Sequence, residues 1–145
     1  MSGSTMDTIK VLLVDDEADF AAAMQRRLER RGLAVRTAHS GEECLSTLRE
    51  FDADVVVLDV KMPGMDGLHT LRAIKHEHPL VEVIMLSGHA CMDTAVAGME
   101  HGAFHYLMKP ADLDELMYKV EDAYKRKSLQ EQKIRAMEER ADPAS

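Results

Sequence analysis

Four short apolar runs in this 145-residue chain end in residues able to do chemistry. Ile9–Val14 leads into Asp15-Asp16-Glu17, and Val55–Leu58 leads into Asp59. Val81–Leu86 leads into Ser87-Gly88, and Phe104–Met108 into Lys109-Pro110. A fifth run, Leu33–Ala38, ends in His39-Ser40, where no clear chemistry is legible. If the chain gathers these ends, carboxylates, a hydroxyl and an ammonium share one rim. Two like charges about 4 Å apart repel by roughly 4 kcal/mol at an effective dielectric near 20, so clustered carboxylates need a counter-charge. A divalent cation supplies it, and an all-oxygen donor set suits Mg²⁺. Zinc is disfavoured, since the rim offers neither cysteine nor a histidine pair. A carboxylate beside a cation can act as a nucleophile toward phosphorus and form an acyl phosphate. Mg²⁺ and an ammonium then spread the charge on the transferring oxygens, and a hydroxyl can bond the group that arrives.

The elements that would position these groups are legible as alternating patterns. Several of the apolar runs are nearly unbroken, as strands buried on both faces of a parallel sheet are. Between them lie helical spacings. Phe20, Met24 and Leu28 precede Gly32, a residue suited to a helix C-cap. Ser40 can cap a helix carrying Cys44, Leu45 and Leu48, with Glu43 as the capping-box partner. Asp66 begins a third helix bearing Leu68, Leu71 and Ile74; a fourth runs from about Met92 to His101; the last starts near Asp112. Strand then helix, five times over, predicts an α/β fold with a doubly wound parallel sheet and right-handed crossovers. In such sheets active groups collect at the carboxyl ends of the strands, where all the candidate residues fall.

Composition narrows the function classes. The hydrophobic fraction of 46% can build one core, and a net charge of −8 gives no basic footprint for direct nucleic-acid binding. The apolar runs are far too short to span a membrane. Cys44 and Cys91 form neither a disulfide framework nor a CxxC pair, which fits a reducing, cytoplasmic setting. The polar opening segment, residues 1–8, reads as a disordered lead-in, with Met6 an alternative start.

Each candidate alone has a plainer reading. Asp15, Asp16 or Asp59 could be a helix cap or a first-turn acid, Lys109 a surface lysine and Ser87 a loop residue. The joint pattern resembles the response-regulator receiver family of bacterial two-component systems. The stretches that carry the resemblance are Val11-Leu12-Leu13-Val14-Asp15-Asp16-Glu17, Asp59-Val60-Lys61-Met62-Pro63-Gly64-Met65-Asp66-Gly67, Leu86-Ser87-Gly88-His89-Ala90 and Tyr106-Leu107-Met108-Lys109-Pro110. The resemblance implies a flavodoxin-like (βα)5 fold with strand order 2-1-3-4-5 over residues 9–127. It implies Asp59 as phosphoacceptor and Mg²⁺ held by Asp16 and Asp59, by Asp15 largely through water, and by the Lys61 carbonyl. Lys109 would pair with Asp59 and then with a phosphoryl oxygen. Ser87 would move toward that group, Tyr106 would swing inward, and Pro110 would follow a cis peptide. Lys61 and His89 stand at positions that tune phosphoryl lifetime. The implied partners are a sensor histidine kinase as donor and an effector domain or protein, switched through the helix 4/strand 5/helix 5 surface. The LSGHA segment and the long last helix more loosely resemble receivers of enhancer-binding transcription activators.

Rival classes are less well served. An aspartyl-phosphate phosphatase would want a second Asp two residues after Asp59, where Lys61 stands. A nucleotide or flavin module would want a Gly-rich loop after the first strand, where the chain is acidic. A receiver that only binds partners would not need the full set of Asp15, Asp16, Asp59, Ser87 and Lys109. In the tail, Leu113, Leu116, Val120, Ala123, Lys127, Gln130, Ile134, Met137 and Ala141 form a heptad-like series interrupted by Lys127 and Gln130. It fits either a coiled-coil seam that dimerises the chain or a solvated helix. Residues 128–145 are therefore expected to be a helical extension with a disordered end after Pro143, belonging either to a complete single-domain regulator or to a receiver within a longer activator.

Overall fold

A computed structural model describes residues 8–60, 67–88 and 92–141. Five strands alternate with five helices: β1 Lys10–Val14, α1 Ala18–Arg30, β2 Ala34–Ala38, α2 Gly41–Leu48, β3 Val55–Asp59, α3 Gly67–Glu77, β4 Glu82–Ser87, α4 Met92–Glu100, β5 His105–Met108 and α5 Leu113–Ala141. All strand pairs are parallel, and the order is β2-β1-β3-β4-β5, as expected.

The two-residue period of a strand sends alternate side chains to opposite faces, and the sheet builds two cores from that alternation. Val11, Leu13, Val55, Val57, Ile84 and Leu86 pack with Ala21, Met24 and Leu28 of α1 and with Leu116, Val120 and Ala123 of α5. Leu12, Val14, Val56, Leu58, Val83 and Met85 pack with Cys44, Leu45 and Leu48 of α2 and with Leu71 and Ile74 of α3. Every residue of β3 and β4 is buried, Asp59, Glu82 and Ser87 among them. Burial pushes the Cys44 thiol up to about 12, so Cys44 serves packing and is not a reactive thiolate at neutral pH.

Helix ends follow their sequence signals. Ser40 Oγ accepts from the Glu43 N–H at 3.1 Å, and Glu43 returns its carboxylate to the His39 N–H at 2.8 Å. Gly32 and Gly102 close α1 and α4 at φ of +93° and +99°, a region costly for residues with a Cβ. Asp112 caps α5 through the Glu115 N–H. The expected start of α3 at Asp66 lies outside the described residues, as do residues 1–7, Cys91 and residues 142–145.

Helix α5 runs unbroken across residue 127. The first half of its heptad-like series is spent on the receiving sheet, with Leu116, Val120 and Ala123 at 0% exposure. Lys127, which interrupts that series in the sequence, is itself buried. Its Nζ donates to Asp54 Oδ1 at 2.9 Å and to Glu131 Oε2 at 3.0 Å. Asp54 also accepts from the Lys10 N–H at 2.9 Å, so the pair fastens α5 to the foot of β1 and β3. Burial alone would lower the Lys127 pKa, but its hydrogen bonds and charge contacts with Asp54 and Glu131 raise it. Beyond this anchor Leu129, Ile134 and Met137 are exposed, so only the distal part of the series is left to meet another helix.

Candidate functional site

The carboxyl ends of β1, β3, β4 and β5 bring the sequence candidates together because these four strands are neighbours in the sheet. Asp59 and Ser87 lie inside the ladder, paired with Leu86 and Met108. The sequence runs stop one residue short of them. Strand pairing thus fixes their backbone, and Asp59 is only 6% exposed. Ser87 is fully buried, and its carbonyl accepts from the Lys109 N–H at 2.8 Å. That bond ties the β4 end to the lysine.

Carboxylate oxygens of Asp15, Asp16 and Asp59 lie within 4.8 Å of one another. Asp15 is buried, and both its oxygens are engaged. Oδ1 accepts from the Glu17 N–H at 2.9 Å, and Oδ2 accepts from Lys109 Nζ at 2.6 Å. Asp16 is exposed. The Lys109 ammonium reaches Glu17 at 3.4 Å and Asp59 at 3.6 Å. Asp15, not Asp59, is therefore its closest partner in this state. Burial disfavours the Lys109 charge, but the hydrogen bond and charge of Asp15, with Asp59 and Glu17 adding to them, raise its pKa. Lys109 is thus a permanent cation at neutral pH. The Lys109–Pro110 peptide is cis.

The donor set fits a hard divalent cation. Among the described residues three close carboxylates face one ammonium, which leaves excess negative charge, and the clustered donors are oxygens. Tyr106 on β5 is half-buried and packs against the core between the sheet and α2/α3. Lys61 and His89, the residues expected to supply a carbonyl ligand and to tune lifetime, lie outside the described residues.

Three neighbours of the site carried no readable signal of their role. His39 Nδ1 lies 3.0 Å from the Asp15 carbonyl oxygen, and the Asp15 N–H donates to the Ala38 carbonyl, fastening the end of β1 to that of β2. The Phe20 ring lies 4.2 Å from Lys109 Nζ. Gly67 donates its N–H to the Val60 carbonyl at 3.1 Å, and a Cβ on it would sit 2.3 Å from the Val60 Cα. Only a glycine lets α3 begin against the exit of β3.

Residues 11–121 match the family model of the response regulator receiver domain. The chain belongs to that family. The receiver is 40% identical over 122 residues to the DNA-binding transcriptional regulator NtrC of Salmonella typhimurium, covering 84% of this chain and 26% of that protein. It spans about a quarter of that relative's length. Among solved structures, a response regulator receiver domain protein from Clostridium thermocellum is 39% identical with a TM-score of 0.80, covering 84% of this chain and 98% of that one. A response regulator from Burkholderia pseudomallei, solved with a phosphorylated aspartic acid, a calcium ion and citrate, is 29% identical with a TM-score of 0.75, covering 85% of this receiver and 72% of that chain.

Proposed function

We propose that this receiver is a phosphorylation switch in which Asp59 accepts a phosphoryl group from the phosphohistidine of a sensor histidine kinase. The observation that carries the reading is the juxtaposition of Asp59 with Asp15, Asp16 and Lys109 at one rim. An Asp59 oxygen attacks phosphorus, the N–P bond of the donor breaks, and the imidazole leaves. Asp16, Asp59 and the Lys61 carbonyl would hold Mg²⁺, with Asp15 acting largely through water, and the bound ion would supply positive charge to offset that on the transferring oxygens. The engagement of both Asp15 oxygens supports its indirect role. The calcium ion and phosphorylated aspartic acid of the Burkholderia protein support the general chemistry.

Once formed, the aspartyl phosphate adds charge and acceptor oxygens. Lys109 turns from Asp15 toward a phosphoryl oxygen, and the Ser87 hydroxyl bonds another. Tyr106 follows into the space this leaves, and Lys61 and His89 tune the lifetime of the state. Because Lys109 and Ser87 are joined through their backbones, both respond to the same group. The outcome biases a two-state surface on α4, β5 and α5, where Val96, Met99, Met108 and Tyr118 are large apolar side chains left exposed. That face, or the distal part of α5, is the proposed contact for an effector domain, a partner protein or a second copy. The likeness to NtrC, a DNA-binding transcriptional regulator, supports transcriptional output within a longer regulator, with DNA contacted by another domain and not by the receiver; the proposed setting is cytoplasmic. Among the described residues no helix is long and apolar enough to cross a membrane.

Incubation with a phosphorylated kinase or acetyl phosphate and Mg²⁺ should label the receiver stoichiometrically. A chelator should abolish the labelling. Persistent labelling of Asp59→Asn at wild-type stoichiometry would refute the assignment.

A further inference from the structure

We propose that Phe20 is a positioning residue for Lys109, its ring serving as a neutral platform that keeps the ammonium at the Asp59 rim. This rests on the phosphoacceptor reading above and names a further residue of the same site. Phe20 lies in the first turn of α1, half-buried against the core between the sheet, α1 and α5. Its ring is 4.2 Å from Lys109 Nζ, well within the roughly 6 Å over which an aromatic face attracts a cation. The lysine side chain is 13% exposed, so water does little to screen that attraction.

The need for such a platform follows from the other partners of Lys109. Asp15 and Asp59 are buried, but Glu17, at 3.4 Å, has a side chain 68% exposed. A lysine drawn by carboxylates alone could follow Glu17 outward, away from Asp59. A fourth carboxylate in place of the ring would deepen the negative charge of the rim and compete with phosphoryl oxygens for the ammonium. The phenyl ring does neither. It attracts the cation, offers no acceptor oxygen, and leaves the three N–H donors of the ammonium free to change from Asp15 to a phosphoryl group. An aliphatic side chain of similar size would fill the same core space without that attraction. Aromatic and aliphatic residues at position 20 therefore separate the two roles.

The test compares Phe20→Leu and Phe20→Tyr with the parent chain in the rate of labelling by acetyl phosphate, and repeats Phe20→Leu in a Lys109→Met background. Phe20→Leu should slow labelling about three- to tenfold, Phe20→Tyr should recover most of the rate, and Phe20→Leu should have no further effect once Lys109 is gone. The ε-methylene protons of Lys109 should be shifted upfield by the ring in the NMR spectrum of the parent and return to ordinary values in Phe20→Leu. An unchanged rate in Phe20→Leu, an equal loss in the Lys109→Met background, or an unshifted Lys109 methylene in the parent would each overturn the role. Absence of label on the parent chain would instead defeat the phosphoacceptor reading, and the methylene shift would still test the contact by itself. If Lys109→Met proves too slow to label, the cycle is read from beryllofluoride affinity in Mg²⁺.

Discussion

Replacing Asp59 by Asn should stabilise the metal-free receiver while destroying its chemistry. Carboxylate oxygens of Asp59 and Asp15 lie within 4.8 Å, which corresponds to a repulsion of at least about 3.5 kcal/mol at an effective dielectric near 20. Lys109 lies 3.6 Å from Asp59 and returns about 4.6 kcal/mol on the same scale. Asp16, exposed and screened, adds a repulsion of about 1–2 kcal/mol. Among the described residues these charge terms nearly cancel, so desolvation decides the sign. An ionised carboxylate at 6% exposure costs several kcal/mol to bury, and a neutral amide costs much less. Lys109 is not orphaned by the change, because Asp15 holds it at 2.6 Å. The expected gain is about 1–3 kcal/mol, or about 3–9 °C in Tm for a domain of this size. Thermal and urea unfolding in chelator measure it. Mg²⁺ should then narrow the gap: at ten times its Kd the parent gains about 1.4 kcal/mol, and the variant, short of one donor, gains less. An Asn variant less stable than the parent in chelator would refute the picture of a carboxylate cluster awaiting a cation.

Two further outcomes follow from contacts elsewhere. Gly67→Ala places a Cβ 2.3 Å from the Val60 backbone, which cannot yield as a side chain could. It should cost about 2–3 kcal/mol in urea unfolding and weaken Mg²⁺ binding measured by titration, since the β3 exit must move. Lys127 has its pKa raised above 10.5 in the fold. Its stabilisation is therefore fully present below the ordinary lysine value and is lost as pH rises through the folded one. Lys109 carries a shift of the same sign. Stability should fall on the alkaline side of pH 10.5, and Lys127→Met should make that fall shallower. At neutral pH the same variant should lose about 2–3 kcal/mol and speed hydrogen exchange in residues 128–141, with labelling of Asp59 retained.

The sequence alone determined the elements and the chemical kit. Nearly unbroken apolar runs and helical spacings carry the alternation of strand and helix, because each element must bury one face or two. Asp15, Asp16, Asp59, Ser87 and Lys109 were legible as a set because a parallel sheet places the residues that follow its strands on one rim. The inward reach of β3 and β4 to Asp59 and Ser87 was less legible, since an acid and a hydroxyl look like the end of an apolar run. Only the tertiary structure decided which groups touch. Lys109 meets Asp15 more closely than Asp59 across 94 residues of chain, a result of strand neighbours that periodicity does not encode. Phe20 looked like one more apolar residue of α1, yet its ring lies beside that same ammonium. Lys127 looked like a flaw in a helical seam and is instead the buried cation that anchors α5 to Asp54. A residue's type limits what it can do, but its partner is set by which strands lie side by side, and that is a property of the whole fold.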